Sequence, residues 1–296
     1  MRGRVPRLAQ VWLETLTPLH IGAGQGGGKP FEDQVLGGRV IPAEYHPLPE
    51  RRGAPQVVKI QRGSRSVGQP YIPASSLRGW LRGLYIGASE AAGTHNLKRK
   101  TEELFGSTEM AGSIALNDLV ADGEVRTFQT KLMRHLPATT TAGGRQGRSR
   151  PDFPVELVEE GATFSGEALY VNDALREVMV TIFARSADLI RWLRTGQGGA
   201  NPETVIPGSP ISGTLFQQRA DQWAITWKLG RYTKSYAKAL TNRRSLKGGT
   251  PHAYYLVQGT NQVPGWVRVT FNLAPRDKAG QPLADFRLND WAEEGT

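Results

Sequence analysis

Ser75, Ser76, Arg78 and Arg82 crowd into one stretch, Tyr71-Ile-Pro-Ala-Ser-Ser-Leu-Arg-Gly-Trp-Leu-Arg-Gly-Leu-Tyr85, and the chemistry they could do is anion binding. Hydroxyls and guanidinium groups donate to phosphate oxygens, and an arginine can do so through two parallel N–H groups. Leu77, Trp80, Leu81 and Leu84 recur at helical spacing, which predicts a helix with one face in a core. Pro73 followed by Ser75 or Ser76 reads as the helix start, with a serine as N-cap. Arg78 and Arg82 then share a second face, and Gly79 and Gly83 a third, bare ridge. Each glycine weakens a helix by about 1 kcal/mol relative to alanine, and Arg78 stands near the positive end of the helix dipole. A phosphate backbone lying on the ridge would offset both costs. The other reading is close packing of the ridge on a strand, with two solvated arginines; this segment alone leaves both open.

Cations recur with aromatics elsewhere. Lys228, Arg231, Lys234 and Lys238 alternate with Tyr232 and Tyr236 around Gly230, a pattern suited to a single strand because cations bind phosphates while rings stack on bases. Val125 to Arg150 is basic and poor in apolar residues, and Lys131, Arg134, Arg145, Arg148 and Arg150 with Phe128 repeat the theme as an arm that would face nucleic acid. His20 and Lys29 flank a loop with a formal G-x-G-x-x-G at Gly22, Gly24 and Gly27. It runs into Pro30 rather than a helix, so it reads as neither a dinucleotide site nor a P-loop, only as a loop whose backbone can pass close to a partner. Glu32 and Asp33 beside it could assist attack of a 2′-hydroxyl directly or through a divalent metal, or could be solvated loop charges.

Composition sets the same direction. Lys plus Arg number 37 against 27 Asp plus Glu, giving a formal charge of +10 and a pI near 10.0, which points to a polyanion, with nucleic acid the commonest and an anionic membrane surface the rival. The absence of cysteine excludes disulfides, thiolate zinc sites and a cysteine nucleophile, and the five scattered histidines show no zinc-binding spacing. No signal peptide or membrane span is read, so a soluble, cytoplasmic protein without cofactor is expected.

These residues need positioning elements. Strands are expected at Val11 to Leu16, Ser113 to Val120, two around Glu160-Gly161 within Pro154 to Val171, and at Val178 to Phe183, Trp223 to Leu229 and Trp266 to Leu273. Besides the serine-arginine helix, a short helix is expected at Ala187 to Arg194, and a long excursion runs to about Gln69. This interleaving predicts an α+β class. Ile72-Pro-Ala-Ser-Ser-Leu-Arg-Gly79 is echoed by Ile206-Pro-Gly-Ser-Pro-Ile-Ser-Gly213, either as two related halves or by chance.

In order along the chain stand Thr17-Pro-Leu-His-Ile-Gly-Ala-Gly24, then Pro70-Tyr-Ile-Pro-Ala-Ser-Ser-Leu-Arg-Gly-Trp-Leu-Arg82. Leu104-Phe-Gly-Ser107 before Ser113-Ile-Ala-Leu-Asn-Asp118 comes next, and Gly230-Arg-Tyr-Thr-Lys-Ser-Tyr-Ala-Lys-Ala-Leu240 last. Together they resemble the RAMP superfamily of CRISPR effector proteins, with Ala74 where that family usually has glycine. The resemblance implies a ferredoxin-like (RRM-like) core, single or duplicated, with long loop insertions. It implies one RAMP-type region over 1–296, with halves at 1–150 and 151–275 and a tail at 276–296. It also implies binding of CRISPR RNA and target RNA beside other RAMP subunits of a type III antiviral ribonucleoprotein, with no membrane. Guide-backbone binding carries over to Ser75, Ser76, Arg78 and Arg82, and proximity to RNA to the His20 loop and the late lysine-rich segment. The opening motif and the late segment look most like the Csm-type subunit that caps the guide 3′ end, which is not itself regarded as the target-cutting nuclease. The alternatives are a backbone-type subunit cutting target RNA with Asp33 and a divalent metal, and a stand-alone basic RNA-binding protein.

Overall fold

Ala9, Val11 and Leu13 alternate with Gln10, Trp12 and Glu14, and in the computed structural model this segment is a strand whose first set is fully buried. The structure describes residues 6–21, 34–36, 39–41, 57, 59–60, 69–135, 153–195, 214–230, 254–260 and 262–273. In chain order the elements begin with β1 (Pro6–Thr15), β2 (Gln34–Leu36), β3 (Arg39–Ile41), β4 (Lys59–Ile60), β5 (Gln69–Ile72), α1 (Ala74–Ala91) and α2 (Leu97–Phe105). They continue with β6 (Ile114–Leu116), β7 (Leu119–Ala121), β8 (Thr127–His135), β9 (Phe153–Val158), β10 (Thr163–Val171), α3 (Ala174–Ala184) and α4 (Ser186–Thr195). The last are β11 (Phe216–Arg219), β12 (Gln222–Lys228), β13 (Tyr254–Val257) and β14 (Trp266–Asn272).

The main sheet is antiparallel and runs β11-β12-β14-β1-β10-β7-β5-β4, with β6 also on β10. Val11 stands between Gly166 of β10 and Phe271 of β14, so the first strand lies at the sheet's centre. Register places Val11 and Leu13 in one row with Phe271 and Val269, which in turn face Trp223 and Ile225 of β12. The helices cover this face. Leu77, Leu81 and Leu84 of α1 and Leu175, Val178, Met179 and Ile182 of α3 are buried against the sheet's apolar side. Phe183 meets Trp223 edge-on at 4.8 Å. Each such side chain contributes about 1.5–3 kcal/mol when fully withdrawn from water. A second sheet, β13-β8-β9, has its own small core of Leu132, Val155, Leu157 and Val257.

The class is α+β, mostly antiparallel, as expected. Two local expectations are corrected. Val178 to Phe183 belongs to helix α3, not a strand: Leu175, Val178, Met179 and Ile182 fall at helical spacing, and tertiary burial outweighs the β-branched run. Ser113 to Val120 is two strands, β6 and β7, broken at Asn117-Asp118, both residues suited to turns. The two strands flanking Glu160-Gly161 form as expected, with β9 joining β8 and β10 joining β1. Asn96 to Ser107, without a predicted element, contains α2, whose Phe105 packs on Tyr85 at a centroid distance of 5.9 Å. The echo at Ile206 to Gly213 lies outside the described residues.

Candidate nucleic-acid interface

Helix α1 forms where its apolar spacing predicts, and its opposite face is bare. Ser75, Arg78, Gly79 and Arg82 are exposed, Ser76 is half-buried, and a Cβ built on Gly79 would meet nothing within 4 Å. Gly83, by contrast, is buried, as is Gly87. The expected continuous ridge is therefore split, with Gly79 open to a partner and Gly83 enclosed on the packed side. Every cation of α2 and α3 is tied to an acid: Lys98 to Glu102, Arg99 to Glu103 at 2.8 Å, Lys100 to Glu177 at 3.6 Å, and Arg176 to Asp221. Among the described residues Arg78 and Arg82 have no such carboxylate, and α1 carries no acid in its first turn. The serine cap is corrected too. Pro73 occupies the cap position with no side-chain bond from the helix's own start, and the Ala74 N–H donates instead to Asp118 Oδ1 at 2.7 Å. A proline at that position frees no side-chain acceptor, so the acceptor comes from the β6–β7 turn. The same carboxylate and burial push the Tyr71 hydroxyl up to about 12, with burial the larger cause.

The Thr17-Pro18-Leu19-His20 segment joins the two sheets. Thr17 Oγ1 donates to the Val263 carbonyl at 2.9 Å and accepts from the Trp266 N–H at 3.0 Å. Leu19 exchanges backbone bonds with Val158 of β9 at 3.0 and 2.8 Å, and Gly265 N–H donates to the Pro18 carbonyl at 2.9 Å. His20 is 0% exposed, and its Nδ1 lies 2.8 Å from the Glu156 carbonyl. Its expected place on RNA is thus corrected: the ring is inside, bonded to β9, because the strand bridge turns it inward. Glu156, which no sequence signal marked, is buried and accepts from the Val57 N–H at 2.9 Å and the Thr127 hydroxyl at 2.7 Å. Lys228 is corrected likewise. It is 1% exposed, its Nζ sits 5.4 Å over the Trp266 ring, and burial pushes its ammonium down to about 7. Gly230 has φ +92°, and any Cβ there would fall against the His20 carbonyl oxygen, so the opening loop and the late basic segment meet at their roots.

Lys131 is exposed on β8, and Arg134 lies in the same strand. Lys29, Asp33, Arg145, Arg148, Arg150, Arg231, Tyr232, Lys234 and Lys238 lie outside the described residues. Among the described residues no three His, Cys, Asp or Glu side chains gather as a metal site would require, and no helix is long and apolar enough to cross a membrane.

The profile of the RAMP superfamily matches residues 12–201, which takes in the end of β1, the bracket at Thr17 to His20, α1 and the β6–β7 turn. The chain belongs to the RAMP superfamily. No curated protein matches this RAMP chain in sequence. A chain in the cryo-EM structure of the Type III-B Cmr-beta bound to cognate target RNA shares 16% identity at a TM-score of 0.33, over 67% of this chain and 56% of that one. This RAMP chain thus spans little more than half the length of that one. Another, in a Csm-crRNA-target RNA ternary complex of a type III-A CRISPR-Cas system, shares 13% identity at a TM-score of 0.42, over 88% of this chain and 100% of that one.

Proposed function

We propose that this RAMP protein binds guide RNA within a type III CRISPR effector ribonucleoprotein of the cytoplasm, holds the guide backbone on α1, and caps the guide 3′ end. The observation that carries the RNA reading is the exposed row of Ser75, Arg78, Gly79 and Arg82, whose arginines lack acidic partners among the described residues while every cation of α2 and α3 has one. Two guanidinium groups one helical turn apart can each take a phosphate, Ser75 can bond a 2′-hydroxyl, and open Gly79 lets the strand approach the helix backbone. Contacts of this kind fix position without reading bases, as a guide of any sequence requires. The type III assignment is supported by the order of the motifs, and the capping role by the Thr17 to Gly24 opening and the basic Gly230 to Leu240 segment.

Arg78→Ala with Arg82→Ala is expected to weaken binding of single-stranded RNA uniformly across sequences and to lower the slope of log K against log salt by about 1.4, two contacts at about 0.7 each. Fluorescence anisotropy over a salt series reads it, and an unchanged slope removes α1 from the RNA path. For the capping role, complexes assembled with and without this chain are digested with nuclease and the protected guide is sequenced. Omission is expected to shorten the protected 3′ end by several nucleotides and leave the 5′ end in place; shortening at the 5′ end would overturn the assignment.

A further inference from the structure

We propose that Asp118 sets the track of RNA across α1 by closing the helix N-terminus to phosphate, an inference that rests on the reading of α1 as an RNA-binding helix. Helix N-termini ordinarily attract phosphate, because unpaired amides and the positive end of the dipole face the ligand. Here the Ala74, Ser76 and Leu77 amides are engaged. Ala74 N–H donates to Asp118 Oδ1 at 2.7 Å, and the Ser76 and Leu77 N–H groups donate to the Pro73 carbonyl at 2.9 and 3.2 Å. An arriving phosphodiester would therefore meet a fixed carboxylate in place of most of those donors.

The carboxylate is fixed because the turn bearing it has no room to move. A Cβ on Gly166 of β10 would come within 2.8 Å of the Asp118 carbonyl oxygen and 2.7 Å of Leu119 Cδ2, so the turn rests directly on the strand's backbone. Leu119 beside it is fully buried, and the Asn117 N–H donates to the Glu167 carbonyl at 2.9 Å. Asp118 itself is exposed, so its charge is presented to whatever approaches that end of α1. About one turn further along, Arg78, Gly79 and Arg82 offer two cations and clearance. Like charge at one end and opposite charge beyond it confine the strand to the middle of the helix. Asp118 is in this sense a positioning residue, one that selects where the phosphates lie rather than binding them.

The test compares the full chain with Asp118→Asn, which keeps an acceptor for the Ala74 N–H and removes the charge, and with Ser75→Lys, which offsets the charge and leaves the cap intact. Glu109→Gln, an exposed acid outside α1, and Val180→Lys, an exposed position on α3, are the controls for net charge. Binding of a labelled mixed-sequence single-stranded oligoribonucleotide is measured at about 50 mM and about 500 mM salt, where screening differs strongly. Asp118→Asn and Ser75→Lys are each expected to bind about threefold tighter at the lower salt, more than their controls, with the gain vanishing at the higher salt. Gains no larger than the controls overturn the inference. If that occurs while the double arginine variant loses affinity, the RNA reading stands and only the role of Asp118 falls; if the double variant also binds like wild type, both fall.

Discussion

Lys228 titrates in a range where the unfolded chain does not. Burial lowers its ammonium from 10.5 to about 7, so between those values the unfolded chain holds a proton that the folded chain has lost. Stability rises with pH wherever the unfolded state binds more protons, so the Lys228 contribution falls as pH drops from 10.5 to about 7 and is constant below. Lys228→Met keeps the stem and removes the titration. The variant is expected to gain on wild type progressively as pH is lowered from about 10 to about 7, then to run parallel to it, as urea midpoints at a series of pH values would show. Two glycines make an opposed pair at the same scale. Gly79→Ala, with open space at its Cβ, is expected to stabilise α1 by about 1 kcal/mol. Gly230→Ala puts a methyl against the His20 carbonyl at a left-handed φ and is expected to cost several times that, with thermal melting as the readout for both.

At the scale of elements, what could be read from the sequence depended on how local its cause was. The apolar spacing of Leu77, Trp80, Leu81 and Leu84 is a property of α1 itself, and the helix and its buried face follow from it. Its cap is not local: the acceptor for Ala74 lies 44 residues away in a turn hidden inside an alternating run. Val178 to Phe183 reads as a strand because Val178, Val180, Thr181 and Ile182 favour strands one by one, whereas Leu175, Val178, Met179 and Ile182 as a set bury one helical face. Exposure was the least legible quantity. His20 and Lys228 are polar residues beside glycine-rich segments and invite a surface reading, yet a bridge to β9 and a tryptophan ring enclose them. Arg78 and Arg82 are exposed because the same helical period that buries the leucines points them away.

In the whole molecule, β1 takes partners from far down the chain, Gly166 of β10 on one side and Phe271 of β14 on the other. Such pairing has high contact order and is slow to form. During synthesis from the N-terminus one edge of the central strand can pair once β10 has emerged, but the edge that takes β14 must wait open until residues beyond Trp266 emerge. An apolar strand with open edges invites pairing with other chains. A chain stopped before residue 262 lacks β14 and is expected to enter inclusion bodies, while the full chain stays in the supernatant, a fractionation that any expression host can report. The arrangement of β1 between β10 and β14 thus makes the surface that presents the arginines of α1 conditional on synthesis through Asn272, since only then can the sheet beneath it close.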